Sequence, residues 1–214
     1  MFIGFGTLVN AVLILVGSIL GAHTKRFIPE TLKNGITHAI GVFTILLGVK
    51  LLIENKPEML KIFFLLILGG GIGYMLRLEE RMENLSGEKK SGFLTASLLF
   101  TIGPMTFMGC FLEATKGDSS LLLSKAFMDG VSSTILSSIF GKGVLLSAFY
   151  VLIFQGALTF GFYLLGDTVK AQSTSNALFL GGGFLIVLGM KILGLLEHVK
   201  LINFLPSLLL SLVV

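Results

Sequence analysis

Residues 41–50 read Gly41-Val42-Phe43-Thr44-Ile45-Leu46-Leu47-Gly48-Val49-Lys50, and residues 182–191 read Gly182-Gly183-Phe184-Leu185-Ile186-Val187-Leu188-Gly189-Met190-Lys191. Both fit G-x-F-x-I-x-L-G-x-K, with six identities in ten positions at a constant offset of 141. Stray Leu or Ile matches are cheap in apolar helices. Gly, Phe, Gly and Lys falling together are not. Each stretch is apolar up to its terminal lysine, so each reads as a membrane helix, and the pair reads as an internal repeat.

Working outward, the repeat continues upstream at an offset of 145, which sets Asn10 on Gln155, Leu13 on Leu158, Leu20 on Leu165 and Gly21 on Gly166. A carboxamide then lies inside each of two equivalent apolar runs. The whole chain has the same character. Of 214 residues 54% are hydrophobic and 13% charged, and the mean hydropathy is +0.94. A soluble domain carries roughly 25% charged residues, and a surface this poor in charge would aggregate in water. The net charge of +4 fits basic residues facing lipid headgroups and gives no reason to invoke nucleic acid. The single cysteine, Cys110, has no intramolecular partner. No Lys or Arg precedes Lys25, so the first apolar run lacks the basic start of a cleaved signal peptide.

Apolar runs of membrane length fall at residues 4–21, 35–53, 59–76, 92–112, 121–140, 144–166, 176–196 and 201–214. Helices are the default, because hydrocarbon satisfies no open backbone groups. The fold class expected is therefore all-α, a polytopic helical bundle of seven or eight spans. It forms a single membrane domain, with repeat one at about residues 4–76, central spans at about 92–140 and repeat two at about 144–214. The last run is short, and Lys125 and Asp129 interrupt the fifth. With eight spans, the odd-numbered loops carry Lys25, Arg26, Lys33, Arg77, Arg81, Lys89, Lys90, Lys142 and Lys200, against Lys56, Lys61, Lys116 and Lys170 in the others. This bias puts the first set in the cytoplasm and both termini outside. Equivalent spans are then five apart and cross in opposite directions, an inverted-topology repeat of the kind that builds secondary transporters.

The polar residues inside these runs are the candidates for function. Asp129 lies near the centre of its span, where a charge costs roughly 2.5–3.5 kcal/mol. Lys125 is one turn earlier on the same face. Ser132, Ser133 and Ser137 continue the stripe. Two readings are open for it: the wall of a solute or ion path with Asp129 handling a cation or proton, or a neutral buried pair whose neighbouring hydroxyls bond back to the backbone. Gly103-Pro104 breaks the fourth span and would free backbone groups there. Met105, Met108 and Cys110 read as packing, and His23, His38 and His198 show no metal-ligand spacing, so no metal or cofactor is implied. The loop from Arg77 to Lys90 reads as a solvated helical connector, Lys50 and Lys191 as snorkelling lysines, and Glu113 and Asp118 as either a cation-gathering mouth or solvated groups. Signatures of an enzyme, such as G-x-S-x-G, a P-loop or HExxH, do not occur.

The segment from Gly103-Pro104-Met105 through Lys125, Asp129-Gly130 and Gly141-Lys142-Gly143-Val144 to Gln155-Gly156, with the opening Gly6-Thr7-Leu8-Val9-Asn10, resembles the bacterial membrane family known as domain of unknown function 554. The resemblance spans nearly the whole chain. It implies a prokaryotic cytoplasmic-membrane protein of seven or eight helices and no particular activity, so the functional expectation rests on the repeat and the polar stripe. The expectation is a secondary transporter of a small solute or ion, proton- or cation-coupled. Its path would be formed by Asp129, Lys125, Ser132, Ser133, Ser137, Asn10, Gln155, Gly103 and Pro104. A passive channel and a membrane scaffold are the alternatives. The partners expected are the lipid bilayer and the solute, with a homo-oligomer left open.

Overall fold

A computed structural model describes residues 3–24, 29–86, 90–102, 104–165 and 171–213. Ten α-helices account for most of them: α1 (Phe5–Thr24), α2 (Glu30–Glu54), α3 (Met59–Leu76), α4 (Leu78–Ser86), α5 (Lys90–Thr101), α6 (Pro104–Lys116), α7 (Ser120–Phe140), α8 (Val144–Leu165), α9 (Ala171–Ile192) and α10 (Leu205–Val213). Short 3-10 turns at Gly141–Gly143 and Leu201–Phe204 precede α8 and α10, and no strand occurs among the described residues. The all-α expectation holds.

By length and composition five described stretches could cross a membrane, and six if the bent pair α5–α6 is one span. That is fewer than the seven or eight expected from the sequence, for two reasons. Residues 201–212 form only a short apolar helix, and α7 with α8 forms one continuous apolar stretch of 45 residues. That stretch is not a straight rod. Asn10 bonds both Asp129 of α7 and Gln155 of α8, although a straight helix would hold those two about 39 Å apart at 1.5 Å per residue. The chain therefore doubles back near Gly141, whose φ of 80° closes α7 in a conformation only glycine adopts freely.

The chain sorts into two compact bodies, one made of Met1–Asn34 with Ser86–Thr168, the other of Gly35–Leu85 with Val169–Val214. In the first, α1 runs parallel to α7. Gly6 backs onto Leu122, Gly17 onto Gly130 and Ser133, and Gly21 onto Thr134 and Ser137. A Cβ at Gly17 or Gly21 would collide with the facing backbone carbonyl, so these glycines set how closely the helices approach.

Helices α5 and α6 meet at a 55° bend. Pro104 has no N–H to give the carbonyl four residues back, which belongs to Phe100. Thr106 Oγ1 donates to that carbonyl instead, at 3.2 Å. The expected break is present, and one lone pair of this freed carbonyl is already used. Gly103 lies outside the described residues.

In the second body, α2 packs antiparallel on α9. Gly41 lies against the carbonyl of Gly189 and Gly48 against that of Gly182. Ile186 faces Gly48, and Ile45 faces Gly189. Moving each residue to its repeat partner at the offset of 141 turns one set of contacts into the other. Helix α3 places Gly69 and Gly73 against Ser207 and Asn203.

Two charged residues depart from their expected roles here. Glu79 is buried rather than solvated: it takes the N–H of Ile202 at 2.9 Å and the ammonium of Lys191 at 3.3 Å. Lys191 also donates to the Val199 carbonyl at 2.5 Å. It anchors the turn before α10 instead of snorkelling, while Lys50 is exposed and faces Glu54 at 3.8 Å.

Candidate functional site

Chemistry concentrates in the first body. Lys125 and Asp129 sit one turn apart on α7 and form a buried ion pair through Asp129 Oδ2. The same oxygen accepts Asn10 Nδ2 of α1 at 3.0 Å. Asn10 Nδ2 also donates to Gln155 Oε1 of α8 at 3.1 Å. Three helices thus converge on one chain of contacts from Lys125 through Asp129 and Asn10 to Gln155, and both carboxamides are fully buried.

The carboxylate fixes the direction of this chain. An ionised Asp only accepts hydrogen bonds, so Asn10 must turn its NH2 toward it. That NH2 in turn selects the oxygen of Gln155. The atoms left over are Asn10 Oδ1 and Gln155 Nε2, both buried without a hydrogen-bond partner, and Thr7 Oγ1, one turn before Asn10, is in the same state. An unmade bond at a buried polar atom costs about 1–3 kcal/mol, and Thr159 Oγ1 on α8 is unpartnered as well. Thr159, one turn after Gln155 on α8, sets its hydroxyl beside the thiol of Cys110, which in turn donates to the Gln155 carbonyl at 3.8 Å.

The serine stripe behaves differently. Ser133 Oγ donates to the Gly130 carbonyl at 2.8 Å, and Ser137 Oγ to the Ser18 carbonyl at 2.7 Å, while Ser132 is only half-buried. The first bond turns back on its own helix and the second ties α7 to α1. Of the expected path residues, Asp129, Lys125, Asn10 and Gln155 are brought together, Ser133 and Ser137 are spent on backbone, and Pro104 opens α6.

Glu113 is neither a mouth nor solvated. Its carboxylate is buried and takes the N–H of Gly4 at 3.2 Å, the N–H of Gly6 at 2.7 Å and the hydroxyl of Ser119 at 2.6 Å. It caps the start of α1, where unpaired N–H groups and the helix dipole favour an anion. Asp118 does the same for α7 from the surface. The backbone N–H of Ser120 at 2.9 Å, helped by the Ser120 hydroxyl, holds its carboxyl below the usual range.

Thr7 and Glu113 were the residues least visible in the sequence. Thr7 could have been found by following the face of Asn10 back one turn. Glu113 carried no local signal, because its partners at the start of α1 lie more than a hundred positions away. An apolar cavity of about 330 Å³ in the second body, lined by Ile62, Leu66, Phe179, Phe184, Val187 and Phe204 among others, has no polar group with which to recognise a hydrophilic solute. Among the described residues no group of three or more His, Cys, Asp or Glu could hold a metal ion.

The family described as "Protein of unknown function (DUF554)" matches residues 5–214. The chain is 32% identical to the "Uncharacterized membrane protein YdfK" of Bacillus subtilis (strain 168), over 98% of this chain and 95% of that one. It is 25% identical to the "Uncharacterized protein YqgA" of Escherichia coli (strain K12), over 96% and 94% respectively. No solved structure matches. A helical chain with several apolar membrane-length stretches, matched from residue 5 to its last residue, is a membrane protein and belongs to the DUF554 family.

Proposed function

We propose that the protein is a secondary transporter of a small solute across a prokaryotic cytoplasmic membrane, driven by a proton or cation that acts at Asp129. One observation carries this reading: the Lys125–Asp129 pair is joined through Asn10 to Gln155, with unsatisfied polar atoms beside it. Ionisable groups at membrane depth are costly and mark solute or proton pathways by default, and a buried ion pair gains little stability by itself.

The repeat supports the same reading. The residues it equates, Asn10 with Gln155, are the ones that bond each other. The contacts of Gly41 and Gly48 with Gly189 and Gly182 exchange when each residue is moved to its partner at the offset of 141. Such exchange is what an inverted-topology repeat requires, and in transporters built that way the solute site falls where the repeats meet. Counting α7 and α8 as separate crossings gives seven, and the segment at 201–213 gives an eighth. The distribution of basic residues then favours both termini outside.

A scaffold is the second reading, favoured by Ser133 and Ser137 being spent on backbone bonds. Reconstitution into proteoliposomes under imposed proton or sodium gradients separates the two. Transport requires saturable flux that Asp129→Asn abolishes. Equal behaviour of wild type, Asp129→Asn and protein-free vesicles supports the scaffold.

A further inference from the structure

We infer that the transported solute is small and uncharged, and that it is recognised by Asn10 Oδ1 and Gln155 Nε2 through a group that both donates and accepts hydrogen bonds. The inference rests on the transport reading and narrows it to a substrate class.

Charge is the first ground. Lys125 and Asp129 cancel each other, and the nearby Glu113 carboxylate is taken up by the N–H groups of Gly4 and Gly6 and the Ser119 hydroxyl, so the ion pair with Asn10 and Gln155 carries no net charge. A solute with a net charge would bring an uncompensated charge to membrane depth, or would have to split a pair already formed. An uncharged solute does neither, and the pair stays available for the coupling ion.

Polarity is the second ground. The orientation imposed by Asp129 leaves a carbonyl oxygen on Asn10 and an NH2 on Gln155, both fully buried and without partners. One is an acceptor seeking a donor and the other a donor seeking an acceptor. A carboxamide, a urea or a hydroxyl carries both kinds of partner. Thr7 Oγ1, also buried and unpartnered, is a hydroxyl on the same face of α1 that can serve a second polar atom. A bare cation would satisfy the Asn10 oxygen but be repelled by the Gln155 NH2, and a bare anion would do the reverse.

The test is solute counterflow, which needs no knowledge of the coupling ion. Proteoliposomes preloaded with unlabelled urea, acetamide or glycerol are diluted into the labelled solute. Parallel vesicles are assayed for Na⁺, K⁺ and H⁺ flux and for counterflow of the net-charged solutes glutamate and lysine. The expected result is labelled uptake of at least one uncharged solute above protein-free vesicles. Gln155→Met should lower it at least tenfold and Thr7→Val several-fold, with both variants eluting as monodisperse protein. The Thr7 variant removes only a hydroxyl and so remains informative if the Gln155 variant does not fold. Flux of ions, or counterflow of glutamate or lysine, without any uncharged solute would overturn the inference and leave transport standing. No movement of any member of the panel would overturn the inference and count against transport as well.

Discussion

Asn10 Nδ2 donates at once to Asp129 Oδ2 at 3.0 Å and to Gln155 Oε1 at 3.1 Å, and so links α1 to two helices at residues 119 and 145 positions further along the chain. The second separation is the offset of the upstream part of the sequence repeat. One side chain therefore joins the buried Lys125–Asp129 pair to the residue that is its own counterpart, and it sets which polar atoms remain free.

Removing one member of the ion pair should be worse than removing both. Lys125→Met leaves a buried carboxylate uncompensated and is expected to cost about 3–5 kcal/mol. The double variant Lys125→Met with Asp129→Leu should recover most of that stability while remaining inactive. Denaturation in detergent, run as a double-mutant cycle, measures the difference; additive losses would show that the pair is not coupled.

The α1–α7 seam should tolerate no added methyl. Gly21→Ala drives a Cβ into the Thr134 carbonyl, and overpacking of this kind costs about 1–3 kcal/mol. At Gly156 a Cβ would meet nothing within 4 Å, so Gly156→Ala should leave thermal stability unchanged or slightly raised. Equal effects of the two substitutions would contradict the close approach.

Glu113→Ala should free the start of α1. Three donors lose a charged acceptor, and hydrogen bonds to charged groups are worth about 1.5–3 kcal/mol each before compensation by water. Deuterium uptake at residues 4–8 should rise well ahead of uptake in the middle of α1. Unchanged exchange there would remove Glu113 as the cap.

Acid should weaken the surface pair in the second body. The hydrogen bond from Lys200 at 2.6 Å, and then its charge, hold the carboxyl of Glu80 below the usual glutamate value. Because the folded pKa is the lower one, this contribution is present above the ordinary glutamate pKa and is lost as pH falls through the folded value. Wild type should therefore melt above Glu80→Gln at pH 7, with the gap closing as the pH falls below about 4. A gap that widens in acid would reverse the assignment.

Much of the fold was legible because long apolar runs have one backbone solution in hydrocarbon. The Gly, Phe and Lys identities at an offset of 141 anchor the repeat, and its upstream continuation at 145 pairs Asn10 with Gln155 from sequence alone. Glu79, Lys191 and Glu113 were not legible. Each looks like a residue near a helix end facing water, and each is held by partners supplied from far along the chain. Hydropathy reports local composition and cannot show which distant N–H groups need an acceptor. The serines of α7 were placed on the right face, but the face alone did not reveal that Ser18 and Gly130 would take their hydroxyls.

If the proposal is right, the unpartnered atoms beside Asn10 belong to a site reached from water. The most direct measurement places a single cysteine at Thr7 in a Cys110→Ala background and treats oriented vesicles with a membrane-impermeant thiol reagent from each side. The expected result is labelling that depends on the side of addition and is suppressed by the solute that counterflow identifies. Absence of labelling from both sides, with the denatured protein reacting fully, would contradict the proposal and leave the cluster as packing between helices.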